Sequence, residues 1–261
     1  MTFGSEIMTE QTHGAWHEQD GFWQTFEPTI FDTERRALAP EEVDQIIELL
    51  ALAPGQRICD LCCGVGRHSL ELARRGFQVT AVDRTERYLD QARTASEAED
   101  LPVEFTQDDM RDFCQPDTFD VILNLFTSFG YFETQRDEQR TLENAFRSLR
   151  QGGRFVLELM SKEIIARIFG ARDWRPVEGG FLLEERKIVD AWSRIENTWT
   201  LIRDGKQQQW TFSHRLYSAT ELGGLLETCG FRDVTAYGSL TGAPYDEKAE
   251  RLVIVAGKQA G

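Results

Sequence analysis

The stretch at residues 57–69, RICDLCCGVGRHS, constrains this chain more than any other. A mostly apolar run, 57–61, carries an acid at Asp60, breaks at Gly64 and Gly66, and resumes as a helical pattern over 67–75 with Leu70, Leu72 and Ala73 at apolar positions. That order reads as strand, tight glycine turn, helix. Glycines permit unusual backbone angles and close approach, and such a turn aims N–H groups and the positive end of a helix at whatever lies above it. A dinucleotide site would read G-x-G-x-x-G beneath a pyrophosphate. Here the third position is Ser69, and Asp60 stands four residues ahead of Gly64, where its charge opposes phosphate and favours an ammonium group.

Around that turn the pattern alternates strand and helix, which predicts a parallel sheet with right-handed crossovers. Residues 1–11 are polar and aperiodic and are expected to be disordered, with Met8 an alternative start. An aromatic cluster follows: Trp16, Phe22, Trp23, Phe26 and Phe31. Two readings stand for it, an N-terminal helix packed on the body of the domain or a lid. A helix is expected to begin at Pro40, with Val43, Ile46, Ile47 and Leu50 on one face. Further strands are expected at 77–82, 103–106, 119–125 and 154–160, with Thr85 capping a helix to about 95 and another helix over 137–149. Ser161 caps a short helix to about 169. The period then falls to two, predicting three antiparallel strands over 181–189, 191–202 and 207–217 with a hairpin at Asp204-Gly205. Ser218 and Glu221 form a capping box for a helix closed by Gly230, and the last strands are 234–237 and 251–256.

At Asp60, Gly64 and Gly66 the chain resembles the class I S-adenosylmethionine-dependent methyltransferases, whose first motif is an acid at the end of the first strand followed by G-x-G. The family usually has glycine where this chain has Cys62, and Cys63 is a common second residue. The resemblance covers roughly 40–160 and implies a doubly wound, mostly parallel seven-stranded sheet with a reversed last strand, here with a small antiparallel insertion after the fifth strand. On this reading residues 1–39 are a tail and aromatic lid, and 40–261 are the methyltransferase domain, with the insertion at about 181–217.

The resemblance also implies residue roles at the strand ends. Asp60, Cys62, Cys63, Gly64, Gly66 and His68 belong to the cofactor turn. Asp83, beside Arg84, ends the second strand and is expected to accept the hydroxyls of a ribose. Tyr88 either stacks on the adenine or packs beneath its helix. Asp109 and Met110 hold the adenine edge, with Asp108 competing for the role of Asp109. Asn124, Leu125 and Phe126 touch the cofactor after the fourth strand. The run to Tyr131 lines the acceptor side and departs from the N/D-P-P-Y/F pattern of enzymes that methylate nucleic-acid bases. Trp23, Phe129, Tyr217 and Tyr245 are placed on the substrate side. A general base, where one is used, is expected to be His214, with Tyr131, Tyr217 and Tyr245 as alternatives.

The formal charge of −15 over 261 residues argues against a polyanionic partner, and no run of Lys and Arg offsets it. Five cysteines show no disulfide or zinc spacing, and no metal site is suggested. No leader or membrane-spanning run is visible, so a cytoplasmic protein is expected, monomeric or homodimeric. The expected activity is transfer of a methyl group from S-adenosyl-L-methionine to N or O of a small molecule by in-line displacement. The rival readings are an NAD(P)-dependent oxidoreductase and a non-catalytic module that binds the cofactor.

Overall fold

The computed structural model describes residues 8–9 and 15–259. It begins with a two-residue strand, β1 (Met8–Thr9), a 3-10 turn at Trp16–Glu18, and helices α1 (Asp20–Ile30) and α2 (Thr33–Leu50). The alternating unit follows as β2 (Arg57–Leu61), α3 (Arg67–Arg74), β3 (Gln78–Asp83), α4 (Glu86–Ala98), β4 (Val103–Gln107), β5 (Phe119–Asn124), α5 (Gln135–Ser148), β6 (Leu149–Leu159) and α6 (Lys162–Ile168). Four strands come next: β7 (Arg172–Val177), β8 (Gly180–Val189), β9 (Arg194–Arg203) and β10 (Lys206–Arg215). Helix α7 (Ala219–Thr228) and strands β11 (Arg232–Tyr237) and β12 (Leu252–Gly257) close the fold.

The main sheet has the order β11-β12-β6-β5-β2-β3-β4, and β12 runs antiparallel to both of its neighbours. Strands β6, β5, β2, β3 and β4 are parallel to one another, so their carboxyl ends share one edge. Strand β5 is buried along its whole length and β2 along all but its first residue, as expected of strands covered by helices on both faces. Chain order reverses between β2 and β5. Ligands of open α/β sheets bind at that switch point, beyond the carboxyl ends.

Several sequence expectations change. Helix α2 starts at Thr33, where the Asp32 side chain accepts from Arg35 N at 2.8 Å, and Pro40 lies inside it rather than at its start. Thr85 is the N-cap of α4 but its side chain makes no capping bond; Asp83 Oδ1 accepts the Thr85 N–H instead. The insertion is a sheet of four antiparallel strands, not three, because the charged, proline-containing β7 adds an edge strand that has no clear alternation. Of the 1–11 stretch expected to be disordered, Met8 and Thr9 pair in parallel with Gln208 and Gln209; the rest lies outside the described residues. The capping box at Ser218 and Glu221 and the left-handed Asp204-Gly205 turn are present.

The inserted sheet has its own apolar face. Leu182, Leu201, Trp210 and Phe212 are buried against Phe22 and Phe26 of α1, with Trp16, Trp23 and Trp199 at the margin. Burial of Phe22 and Phe26 is worth about 1.5–3 kcal/mol each. The N-terminal helix therefore belongs energetically to the insertion, although about 160 residues separate them. Among the described residues, no helix is long and apolar enough to cross a membrane.

Candidate active site

A cavity of about 950 Å³, open solvent at its mouth included, lies over the carboxyl ends of the parallel strands. Its floor is the turn after β2. Cys62, Gly64 and Gly66 all have left-handed backbones, with φ of 68°, 56° and 75°. The N–H groups of Cys62 and Cys63 both donate to Val82 O, at 2.8 and 2.9 Å, which pins the turn to β3. A Cβ at Gly64 would come 2.6 Å from Phe31 Cζ, and one at Gly66 would come 2.8 Å from Ala92 Cβ. Gly66 thus serves the packing of α3 on α4, whereas Gly64 faces the cavity.

Carboxylates line the walls. Asp60, 2 % exposed, accepts from Ser69 Oγ at 2.6 Å, so the serine that broke the dinucleotide pattern orients the acid that opposed phosphate. Asp83 accepts from Gly64 N and Thr85 N, each at 2.8 Å; burial pushes its carboxyl pKa up, and these two bonds pull against that shift. Asp108 accepts the N–H of Asp109 at 2.8 Å. Both oxygens of Asp109 are engaged by Arg111, at 2.7–2.9 Å. Burial raises the Asp109 carboxyl, but the Arg111 bonds outweigh it and hold the pKa below the ordinary value.

A second cluster closes the side nearest α2. His68 Nε2 lies 2.8 Å from Glu42 Oε2, and Arg67 pairs with the same oxygen. Burial alone would raise Glu42, yet the His68 bond and the Arg67 charge bring it down to about 2. Beside them Phe126, at φ 60°, donates its N–H to Glu158 Oε2 at 2.8 Å, and the guanidinium groups of Arg35, Arg67 and Arg251 stand 4.9, 5.2 and 5.7 Å from its ring centre.

The roof comes from the N-terminal segment: His17, Trp23, Ile30 and Phe31. It is tied to the loop after β3, to helix α4 and to the loop after β4. Arg84 bonds the backbone oxygens of His17 and Glu18 and reaches Asp20, Arg111 Nη2 donates to Glu18 Oε1 at 2.6 Å, and Tyr88 Oη donates to Trp23 O at 2.9 Å. Of the two readings of the aromatic cluster, packing describes Phe22 and Phe26, whereas Trp23 and Phe31 line the cavity.

The cavity brings together Trp23, Asp60, Cys62, Cys63, Gly64, His68, Asp83, Arg84, Tyr88, Asp108, Asp109, Met110, Leu125, Phe126 and Tyr131 from those singled out in the sequence. Six others stand outside its lining. Gly66 is beneath the turn. Asn124 is buried and donates from Nδ2 to Leu61 O at 3.1 Å, tying β5 to β2. Phe129 packs tilted against Tyr217 in the core, 5.7 Å between ring centres, and the Tyr217 hydroxyl is bonded to the buried Glu138, whose carboxyl burial raises to about 7. Tyr245 shares a hydrogen bond with Ser161 and donates to Glu163 at 3.0 Å. His214 packs edge-on against Tyr131, 6.5 Å between centres, one layer behind the ring that lines the cavity; burial, then the nearby Arg194, lowers its pKa to about 4. Sequence reasoning missed His17, Glu42 and Arg67. Only the place of His17 within the aromatic cluster hinted at it.

Residues 58–153 match the family described as methyltransferase domain. The Bacillus subtilis (strain 168) protein named "Putative methyltransferase YqeM" is 27% identical over 215 residues, spanning 77% of this chain and 84% of that protein. The fold is shared with an S-adenosylmethionine-dependent methyltransferase from Clostridium acetobutylicum, at a TM-score of 0.76 and 17% identity over 93% of this chain and 99% of the other. It is shared too with the sugar N-methyltransferase KedS8 from Streptoalloteichus sp., at a TM-score of 0.64 and 19% identity over 99% of both chains. With the strand-end acids gathered over a left-handed turn, the chain carries a methyltransferase domain over its central segment and shares its fold with S-adenosylmethionine-dependent methyltransferases.

Proposed function

We propose that the chain moves the methyl group to a nitrogen or oxygen of a small molecule, with donor and acceptor both held in the cavity over β2–β5. The observation that carries this is the roof: residues of the 16–31 segment are bonded to Arg84, Tyr88 and Arg111, which leaves a space suited to small ligands rather than an open groove. The KedS8 likeness and the acidic chain point the same way, toward an amine or hydroxyl on a compact, non-polyanionic molecule.

The residues present fit the cofactor. Asp60 would face its ammonium group, and Asp83, already oriented by Gly64 and Thr85, would accept its ribose hydroxyls with its remaining lone pairs. Asp108 and Met110 would take the adenine edge together with Asp109, whose carboxylate is largely committed to Arg111. Leu125 and Phe126 would flank it beyond β5. When bound, S-adenosylmethionine supplies a methyl group on a sulfonium centre, already activated toward in-line displacement. The protein's part is then to align the acceptor and exclude water. Trp23 and Tyr131 form the wall available to the acceptor.

The test is to incubate the protein with methyl-labelled S-adenosylmethionine and, separately, a metabolite extract below 1 kDa, bulk RNA and bulk protein. Label in the low-mass fraction is expected. Label confined to RNA or protein would overturn the small-molecule reading while leaving the methyltransferase assignment intact.

A further inference from the structure

His17 is 6 % exposed and lines the same cavity as Asp60 and Asp83, yet among the described residues neither ring nitrogen has a hydrogen-bond partner. Buried polar atoms are almost always paired, so two orphaned nitrogens on one ring at a ligand site call for a ligand group. The ring is held in place by neighbours that leave its nitrogens untouched. The backbone oxygen of His17 accepts from Trp23 Nε1 at 2.8 Å and Arg84 Nη1 at 3.3 Å, and its ring packs edge-on against Phe132 and lies 6.3 Å from that of Tyr131.

The charged and titratable groups around it come from four elements. Glu18 is its chain neighbour, with Oε1 3.8 Å from Nε2, and that carboxylate is drawn off by Arg111. Arg84 follows β3, Asp109 and Arg111 follow β4, and Tyr131 follows β5. Burial lowers the imidazole pKa foremost; Glu18 and Asp109 oppose this, and Arg111 and Arg84 reinforce it. The net result is a neutral ring with one acceptor nitrogen, in the only state that can take a proton.

Resting on the proposed small-molecule reading, we infer that His17 receives the proton lost by the methyl acceptor, which is therefore an amine or hydroxyl still carrying hydrogen when it attacks. The acceptor's lone pair forms the new bond to the methyl carbon, and the carbon–sulfur bond breaks with its electron pair passing to sulfur. The proton leaves the acceptor nitrogen or oxygen for the imidazole, and the resulting imidazolium returns it to water as product departs. This is general base catalysis by a group already desolvated and neutral. It replaces His214, which stands a layer back.

The experiment compares wild type with His17→Gln in the low-mass extract assay, alongside calorimetry with S-adenosylhomocysteine. The expected result is a loss of label transfer of about 100-fold for the variant at pH 7, recovered in part as pH rises, with S-adenosylhomocysteine affinity within about twofold of wild type. The wild-type rate should fall on acidification with a limb below pH 6.5 that the variant lacks. A variant that retains its rate within about threefold overturns the role of His17. Wild type that binds S-adenosylhomocysteine but labels only RNA or protein overturns the small-molecule reading, and this inference with it. Should the variant also lose S-adenosylhomocysteine, nitrogen-15 spectra of the wild-type imidazoles decide: His17 neutral at pH 7 in the S-adenosylhomocysteine complex supports the role, and an imidazolium there overturns it.

Discussion

The backbone N–H of Gly64 donates to Asp83 Oδ2 at 2.8 Å, so the glycine turn after β2 and the acid ending β3 form a single unit. Through its other oxygen the same carboxylate holds Thr85 N at the start of α4. The acid is thus built into the floor while also lining the cavity. Replacing it disturbs both functions.

Asp83→Ala is expected to weaken S-adenosylhomocysteine binding by about 10- to 100-fold, or roughly 1.5–3 kcal/mol, because two buried N–H donors lose their acceptor along with any ribose contact. Calorimetry measures this. Unchanged affinity would remove Asp83 from the cofactor's surroundings.

Cys62 occupies the position where the family usually has glycine, and its φ of 68° explains the preference. A side chain held there costs on the order of 1–2 kcal/mol, partly offset by the greater unfolded-state entropy of glycine. Cys62→Gly should therefore leave stability unchanged or raise it by up to about 1 kcal/mol, whereas the β-branched Cys62→Val should lower it by about 1–3 kcal/mol. Urea midpoints of the two variants give the answer.

Glu42 titrates at about 2 in the folded protein against an ordinary 4.5. Because the folded value is depressed, the stabilisation is complete above pH 4.5 and is lost as pH falls through 2. Its upper bound is about 3 kcal/mol. Glu42→Gln should lower stability at pH 7 and flatten the acid limb of the stability profile between pH 4.5 and 2. A variant with the wild-type acid limb would show that the His68–Glu42–Arg67 cluster contributes nothing to folding.

His214→Gln should change turnover by less than about threefold, since Tyr131 and not His214 faces the cavity. A loss comparable to that expected of His17→Gln would return the base to β10.

The parts of this architecture that were legible in the sequence are those set by near neighbours. Asp60 and Gly64, the capping box at Ser218 and Glu221, and the Asp204-Gly205 hairpin each act within a few residues, where backbone angle or a capping oxygen leaves a direct signature. Pro40 misled because Asp32, eight residues earlier, supplies the cap and the proline is accommodated inside the helix. Strand β7 was invisible because Arg172–Val177 lies at an edge, with no buried face to impose alternation. A lid was among the readings of the aromatic cluster, but the bonds that hold it were not visible. Trp16 Nε1 bonds Ser213 O at 2.8 Å across 197 positions, and His17 reaches the cavity only because that contact and Arg84 hold its backbone there.

That long-range bond between the first described turn and the inserted sheet has an evolutionary corollary. Phe22 and Phe26 fill the aromatic face of β8–β10 while Trp23, on the same helix, borders the ligand space. On the proposed reading, acceptor preference is coupled to the insertion by shared packing, and swapping either segment from a relative alone would strand apolar side chains in water. Chimeras that exchange residues 15–31 together with 172–215 should remain folded, and drift in one segment should be matched by drift in the other.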